Sequence, residues 1–212
     1  MKQYFNKIKA SVVFVMSLLI ASTLAMPVYA ASGNQGYAIY RDGVQNLGNL
    51  VWHAGFMDDP TSTATSWPVL HMAVQTDGET RIGWDSWSHF LYGKNFKGVF
   101  KPKGGITSSQ RDDVVTLSRS LLTEDIGYTF VQQVQYSAGD QYWVWPKDIT
   151  NMRCDGLVEY CYEWFGHRII GADEVWDITR NNHQNWSAHS YTPAVQPKTQ
   201  SEAMTLVQSS TP

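Results

Sequence analysis

Asn151-Met152-Arg153-Cys154-Asp155-Gly156-Leu157-Val158-Glu159-Tyr160-Cys161-Tyr162-Glu163-Trp164-Phe165-Gly166 reads as one amphipathic helix with a cysteine in its first turn. Leu157, Cys161, Trp164 and Phe165 recur at helical spacing and form an apolar face. Gly166 is the C-terminal stop, and Thr150 or Asn151 supplies the N-terminal cap. Cys154 then lies beside the free N–H groups of the first turn. A helix N-terminus favours negative charge, hence thiolate over thiol, and Arg153 acts in the same sense. A lone cysteine also fits a plainer role, a small apolar residue that begins a helix. The rest of the chain decides between the two.

Residues 1–30 have the layout of a secretory signal. Lys2, Lys7 and Lys9 form a basic start, and Ala10 to Ala21 is an apolar run too short for a stable membrane span. Val28-Tyr29-Ala30 is a small-x-small cleavage site. The expected product is a secreted or extracytoplasmic chain with no stable membrane span. The full chain carries a net charge of −3; the signal holds three lysines and no acid, so the remainder stands at −6. That balance gives no support for nucleic-acid binding. Roughly 180 residues remain, the size of one domain with a real core. Cys154 and Cys161 lie two turns apart on one predicted helix. Their Cα atoms are then ~10 Å apart, past the ~7 Å limit for a disulfide. Free thiols in an exported chain need a reason; burial supplies one for Cys161 but not for Cys154.

Tyr37 to Tyr40 reads as a first strand ended by a turn at Arg41-Asp42-Gly43. Leu50 to Met57 and Val69 to Val74 are the next two, joined by the polar stretch Asp58 to Ser66. An antiparallel hairpin with His53 opposite His71 and Met57 opposite Trp67 brings the two imidazoles within roughly 5 Å at Cβ. Each histidine alone reads as a satisfied polar residue; a meeting pair is a stronger signal. Further strands are expected at Thr80 to Trp84 and Gly98 to Lys101, around a short helix near Ser86 to Leu91. Ser109-Gln110-Arg111-Asp112 opens a helix with capping-box character, with Val114, Leu117, Leu121 and Leu122 on its buried side. Residues 128–150 are extended or irregular. From Tyr191 onward Pro, Gln, Ser and Thr dominate, and 191–212 is expected to be a disordered tail. The domain is thus expected over 31–190. No His/Cys/Asp/Glu set has zinc spacing, and His167, His183 and His189 read as surface residues.

Arg153 to Tyr160 resembles the nucleophile motif of the NlpC family of papain-like cysteine hydrolases, usually Asp-Cys-Ser-Gly-Leu-Val. Ser118 to Tyr128 is similar to that family's helix and the approach to its tyrosine, with Tyr128 at that position. His53-Ala54-Gly55-Phe56-Met57 resembles the family's His-x-Gly strand, and His71 falls where its third, orienting residue stands. Here the histidines precede the cysteine, the order of the circularly permuted branch. The likeness spans roughly residues 37–170. It implies an α+β, papain-like fold: a small antiparallel sheet packed with helices, in permuted order. It implies Cys154 as nucleophile, His53 as base and His71 as orienter. The Cys154 N–H and the Tyr128 hydroxyl then stabilise the oxyanion. Arg153 and Asp155 replace the family's Asp and Ser, positions that hold the substrate's amino group in members cutting peptidoglycan peptides. Trp52, Trp84, Trp87 and Trp145 either line a substrate groove or pack the core. The expected activity is an exported thiol amidase or peptidase on cell-wall peptides, with no cofactor and no metal. An acyltransferase or esterase of the same fold is the first alternative. A non-catalytic wall-binding module with an aromatic groove is the second.

Overall fold

The computed structural model of the chain describes residues 31–46, 49–63, 67–137, 142–170, 178–180, 189–190, 192 and 195–212. The expected export signal and His183 lie outside these. The strands are β1 (Ala38–Asn46), β2 (Asn49–Met57), β3 (Val69–Val74), β4 (Thr80–Asp85), β5 (Phe96–Lys101), β6 (Gly127–Tyr128), β7 (Val134–Tyr136), β8 (Ile149–Met152) and β9 (Thr205–Gln208). The helices are α1 (Trp87–Leu91), α2 (Ser108–Ser120), α3 (Cys154–Trp164) and α4 (Pro197–Glu202). The class is α+β. Among the described residues the strands form one open sheet of nine, wider than the small one expected, in the order β7-β8-β6-β4-β3-β2-β1-β5-β9. Its pairs are antiparallel except β6 with β8.

Alternation along the central strands builds two cores. Ala38, Tyr40, Ala54, Phe56, Leu70 and Met72 point to one face and join Val114 of α2 and Leu157, Val158 and Cys161 of α3. Ile39, Met57, Val69 and Val99 point to the other and meet Phe90 of α1. A strand buried on both faces loses polar alternation, which is why Val69 to Ala73 is apolar apart from His71. The second core is the one beside which His53 and His71 are set.

Several expectations are corrected. Arg41-Asp42-Gly43 is not a turn: β1 runs on to Asn46, with a register shift between Arg41 and Val44. The hairpin pairs Gly55 with His71 and Met57 with Val69, two residues from the expected register. Side-chain period is two, so this slip leaves both histidines on their face. Helix α2 is capped by Thr107 with Gln110 in the box, two residues earlier than read. Helix α3 begins at Cys154 with Arg153 at the cap position, because Thr150 and Asn151 belong to β8.

Helix α3 is also buried on more than its apolar face. Asp155, Glu159 and Glu163 are all sealed in, each held by specific donors. Glu159 accepts from the Ile170 N–H at 2.9 Å and from Gln200 Nε2 at 2.8 Å, and Glu163 accepts from the Ile178 N–H at 3.1 Å. The chain end supplies part of this cover. The expected disordered tail instead contains α4 and β9, and β9 pairs with the edge strand β5. Its polar composition misled because Gln200 is fully buried as a hydrogen-bond hub: it accepts from the Tyr40 hydroxyl at 2.9 Å and donates to Glu159 and to the Asp155 carbonyl. His189 is likewise buried rather than on the surface, with Nδ1 2.6 Å from Gln133 Oε1.

Candidate active site

The site lies where β2 and β3 separate. Their pairing covers only Gly55–Met57 against Val69–His71. Past that point the Cys154 thiol feels the Ala54 and Asp155 N–H groups and stands beside the Tyr128 hydroxyl. Helix α3 therefore delivers its first residue into the split in the sheet, one residue along β2 from His53. Gly55 lets β2 lie close against β3 beside the histidines. A Cβ there would stand 2.9 Å from His71 Cβ and 3.0 Å from the Leu70 carbonyl oxygen. That is the physical content of the His-x-Gly spacing.

His53 Nε2 and His71 Nδ1 are 2.8 Å apart, with the rings edge to face at 5.0 Å. The Phe90 ring packs against both, at 5.7 Å and 5.2 Å. His71 Nε2 lies 3.2 Å from Asp85 Oδ2, and Asp85 also takes the Ser86 N–H at 2.9 Å and His89 Nδ1 at 2.7 Å. Burial raises the Asp85 carboxyl, but hydrogen bonds from His71 and His89 outweigh it and the net shift is downward. Asp85 is thus an acceptor. That fixes the proton positions in turn. His71 donates from Nε2 to Asp85, so its Nδ1 is a lone pair. His53 donates from Nε2 to that lone pair, so His53 Nδ1 carries the free base. Burial, then His71 and Arg41, hold His53 well below its ordinary value, and burial lowers His71 against the pull of Asp85. Both rings are neutral at pH 7.

Cys154 reverses the sequence expectation of a thiolate. It is 4% exposed, and burial first, then the Asp155 carboxylate, push its thiol up to about 12 against the Ala54 N–H and Arg153. Burial raises Cys161 too. The helix terminus loses because the whole first turn is out of water. Burial raises the Tyr128 hydroxyl as well, with Cys154 the next cause, so it stays a donor.

Arg153 and Asp155 do not line the opening. Arg153 grips the Asp155 carboxylate through Nε at 2.8 Å and through Nη2, and binds the Val195 carbonyl at 3.0 Å; Gln133 Nε2 takes the remaining place on Asp155. They clamp the start of α3, and the substrate role expected of them is replaced by a structural one. The tryptophans are dispersed. Trp87 packs on Phe90 and Phe96, Trp52 stacks under Lys97, and Trp145 clusters with Trp143 and Trp164. Trp84, 47% exposed, lines a separate cavity of about 720 Å3 with Trp67 and Asp58. Among the described residues the four have different neighbours and form no single cluster.

The opening over the histidines is a cavity of about 580 Å3, lined by Arg41, His53, His71, Asp85, His89 and Tyr128 among others. Asp85, His89 and Arg41 were not singled out from sequence. Asp85 was legible in part, lying two residues beyond Gly83, the β4 partner of His71. Arg41 pairs with His53 across β1 and β2, a neighbour hidden by reading Arg41 as a turn. Among the described residues no group of three or more His, Cys, Asp or Glu is placed to hold a metal ion, and no described helix is long and apolar enough to cross a membrane. No family model, curated protein or solved structure matches the chain.

Proposed function

We propose that the chain is an exported thiol hydrolase of the permuted papain-like type, cutting amide bonds in cell-wall peptides. One observation carries this reading: the Cys154 thiol stands by Ala54, one residue along β2 from His53, and by Tyr128, which lines the cavity open above the hydrogen-bonded pair His53–His71. The order of events follows from the proton positions. Sγ of Cys154 attacks the scissile carbonyl carbon as its proton passes to Nδ1 of His53. Because both groups rest neutral, His53 is a working base rather than half of a standing ion pair. The imidazolium formed is stabilised through His71 by Asp85. The Tyr128 O–H and the first amide of α3 donate to the developing oxyanion, each such donor being worth roughly 3 kcal/mol. His53 returns the proton to the departing amine and leaves a thioester at Cys154. Water, deprotonated by His53, then releases the acid and restores the thiol.

Incubation of the purified chain with wall peptides, read by mass spectrometry, tests the reading. Wild type releases a new carboxyl and a new amine, and Cys154→Ala releases neither. Asp85→Asn loses on the order of 10²-fold or more in kcat, because it no longer dictates the tautomers, and Asp85→Glu recovers part of it. An acyl product on a second acceptor, with no hydrolysis, replaces the hydrolase with an acyltransferase working through the same thioester. Intact peptides with no labelling of Cys154 by any electrophile defeat the enzyme.

A further inference from the structure

Among the described residues Arg41 is a cation with no carboxylate counter-ion, and it stands beside the candidate reacting groups. It sits on β1 directly opposite His53 and lines the same cavity. Among the described residues its Nη1 donates to the Asp42 carbonyl at 3.2 Å, its Nε is buried with no partner, and its guanidinium stands 5.8 Å over the Phe90 ring. The two carboxylates at hand are committed elsewhere. Asp42 holds Lys97 at 2.8 Å and Asn95 at 2.9 Å and 3.0 Å, and Asp85 holds the two histidines. Among the described residues no Asp or Glu forms an ion pair with Arg41. A half-buried guanidinium left in this state loses hydration with no charge to offset it. Its planar fork matches a carboxylate.

We infer that Arg41 is the seat of a substrate carboxylate, and that the acyl segment cut at Cys154 bears an acidic group close to the scissile carbonyl. The inference rests on the thiol-hydrolase reading and gives that site its specificity. Three features agree on it. The guanidinium reaches the cavity from the strand next to His53, which puts a bound anion near the reacting bond. Its influence is felt at Cys154, His53 and His71 alike, so the three share one neighbourhood with it. The lining also carries Met72, Val74 and Phe130, apolar groups suited to the body of a side chain rather than to a second charge. A ligand that fits is an acidic peptide or acyl amino acid, with its carboxylate on Arg41 and its carbonyl over Sγ.

Two alkylating agents of nearly equal size separate recognition from activation. Iodoacetate carries the carboxylate and iodoacetamide does not. Their rates at Cys154 are measured at pH 8.5 on the full chain. Thiolate content affects both equally and cancels in the ratio. The ratio of iodoacetate to iodoacetamide rates is expected to fall about 10-fold or more in Arg41→Gln and less in Arg41→Lys. An unchanged ratio with both rates lowered means that Arg41 only assists the thiol, and overturns the proposal. The second measurement needs neither turnover nor a variant. N-acetylglutamate and N-acetylglutamine are titrated into wild type while the ring signals of His53 and His71 are followed by NMR. Saturable shifts with the acid alone support the carboxylate seat; equal shifts, or none with the acid, overturn it. Absence of labelling at Cys154 with acid-selective shifts would sink the hydrolase and leave the seat standing.

Discussion

At Cys154 two influences oppose each other, and burial wins. The first turn of a helix and Arg153 favour thiolate, yet the sulphur is out of water beside the Asp155 carboxylate, and its thiol is pushed up to about 12. His53 is displaced the other way, well below 6.5, by the same burial and by His71 and Arg41. A thiol facing a neutral imidazole has a distinctive pH dependence. The rate falls only where His53 takes up a proton, and that point lies below the ordinary histidine value of about 6.5. On the alkaline side nothing in the pair is lost until the thiol itself ionises. The pH profile of kcat/KM is therefore expected to be flat from about 6.5 to 9, with its acid limb below 6.5. A bell centred near neutrality, or an acid limb above 6.5, would contradict the neutral pair.

Among the elements, α3 and the β2–β3 split must stay in register for the site to exist. Gly156 is the contact that sets the depth of α3. A Cβ there would stand 1.8 Å from the Gln133 carbonyl oxygen, a backbone atom beside β7 that has no side chain to swing away. Alanine is the better helix former by about 1 kcal/mol, so propensity alone predicts that Gly156→Ala stabilises. The close approach predicts the opposite. Urea unfolding should show a net loss of about 2 kcal/mol or more, and the outward shift of Cys154 should cost on the order of 10²-fold in rate. A Gly156→Ala chain as stable and as active as wild type would show that α3 does not rest on β7. Gly156 thus has a packing reason of its own, independent of any role for Cys154.

For the molecule as a whole, the far end of the chain closes the structure over α3. Gln200 joins Tyr40 of β1 to Glu159 of α3, while β9 extends the sheet past β5. Burial raises the Glu159 carboxyl to about 7, and the Gln200 amide is one of the donors that resist this. Gln200→Ala takes one hydrogen-bond partner each from the buried Tyr40 hydroxyl and the buried Glu159 carboxyl, for an expected loss of roughly 2 kcal/mol. A chain ended after Val195 loses these bonds and the β9 pairing together, and should show a lower urea midpoint and faster proteolysis than Gln200→Ala. Equal midpoints for the truncated and full chains would mean that the segment carries no part of the stability.

Sequence by itself determined the local features. The apolar run at Val69 to Val74, the helix after Arg153 and the placing of two histidines on neighbouring strands all follow from periodicity, which is a property of consecutive residues. A register slip of two could not disturb the histidines' face, because side chains alternate with period two. Tertiary structure alone decided the rest. Whether Cys154 is thiol or thiolate depends on water, and the exclusion of water depends on packing by segments distant in the chain. The fate of Arg153 and Asp155 turned on each other and on Gln133, and the tail was ordered by partners far away, Tyr40 and Glu159. Asp85 and Arg41 came to the site through strand pairing with β3 and β2. Pairing is a contact between remote residues, and neither composition nor spacing encodes which remote residue will be opposite.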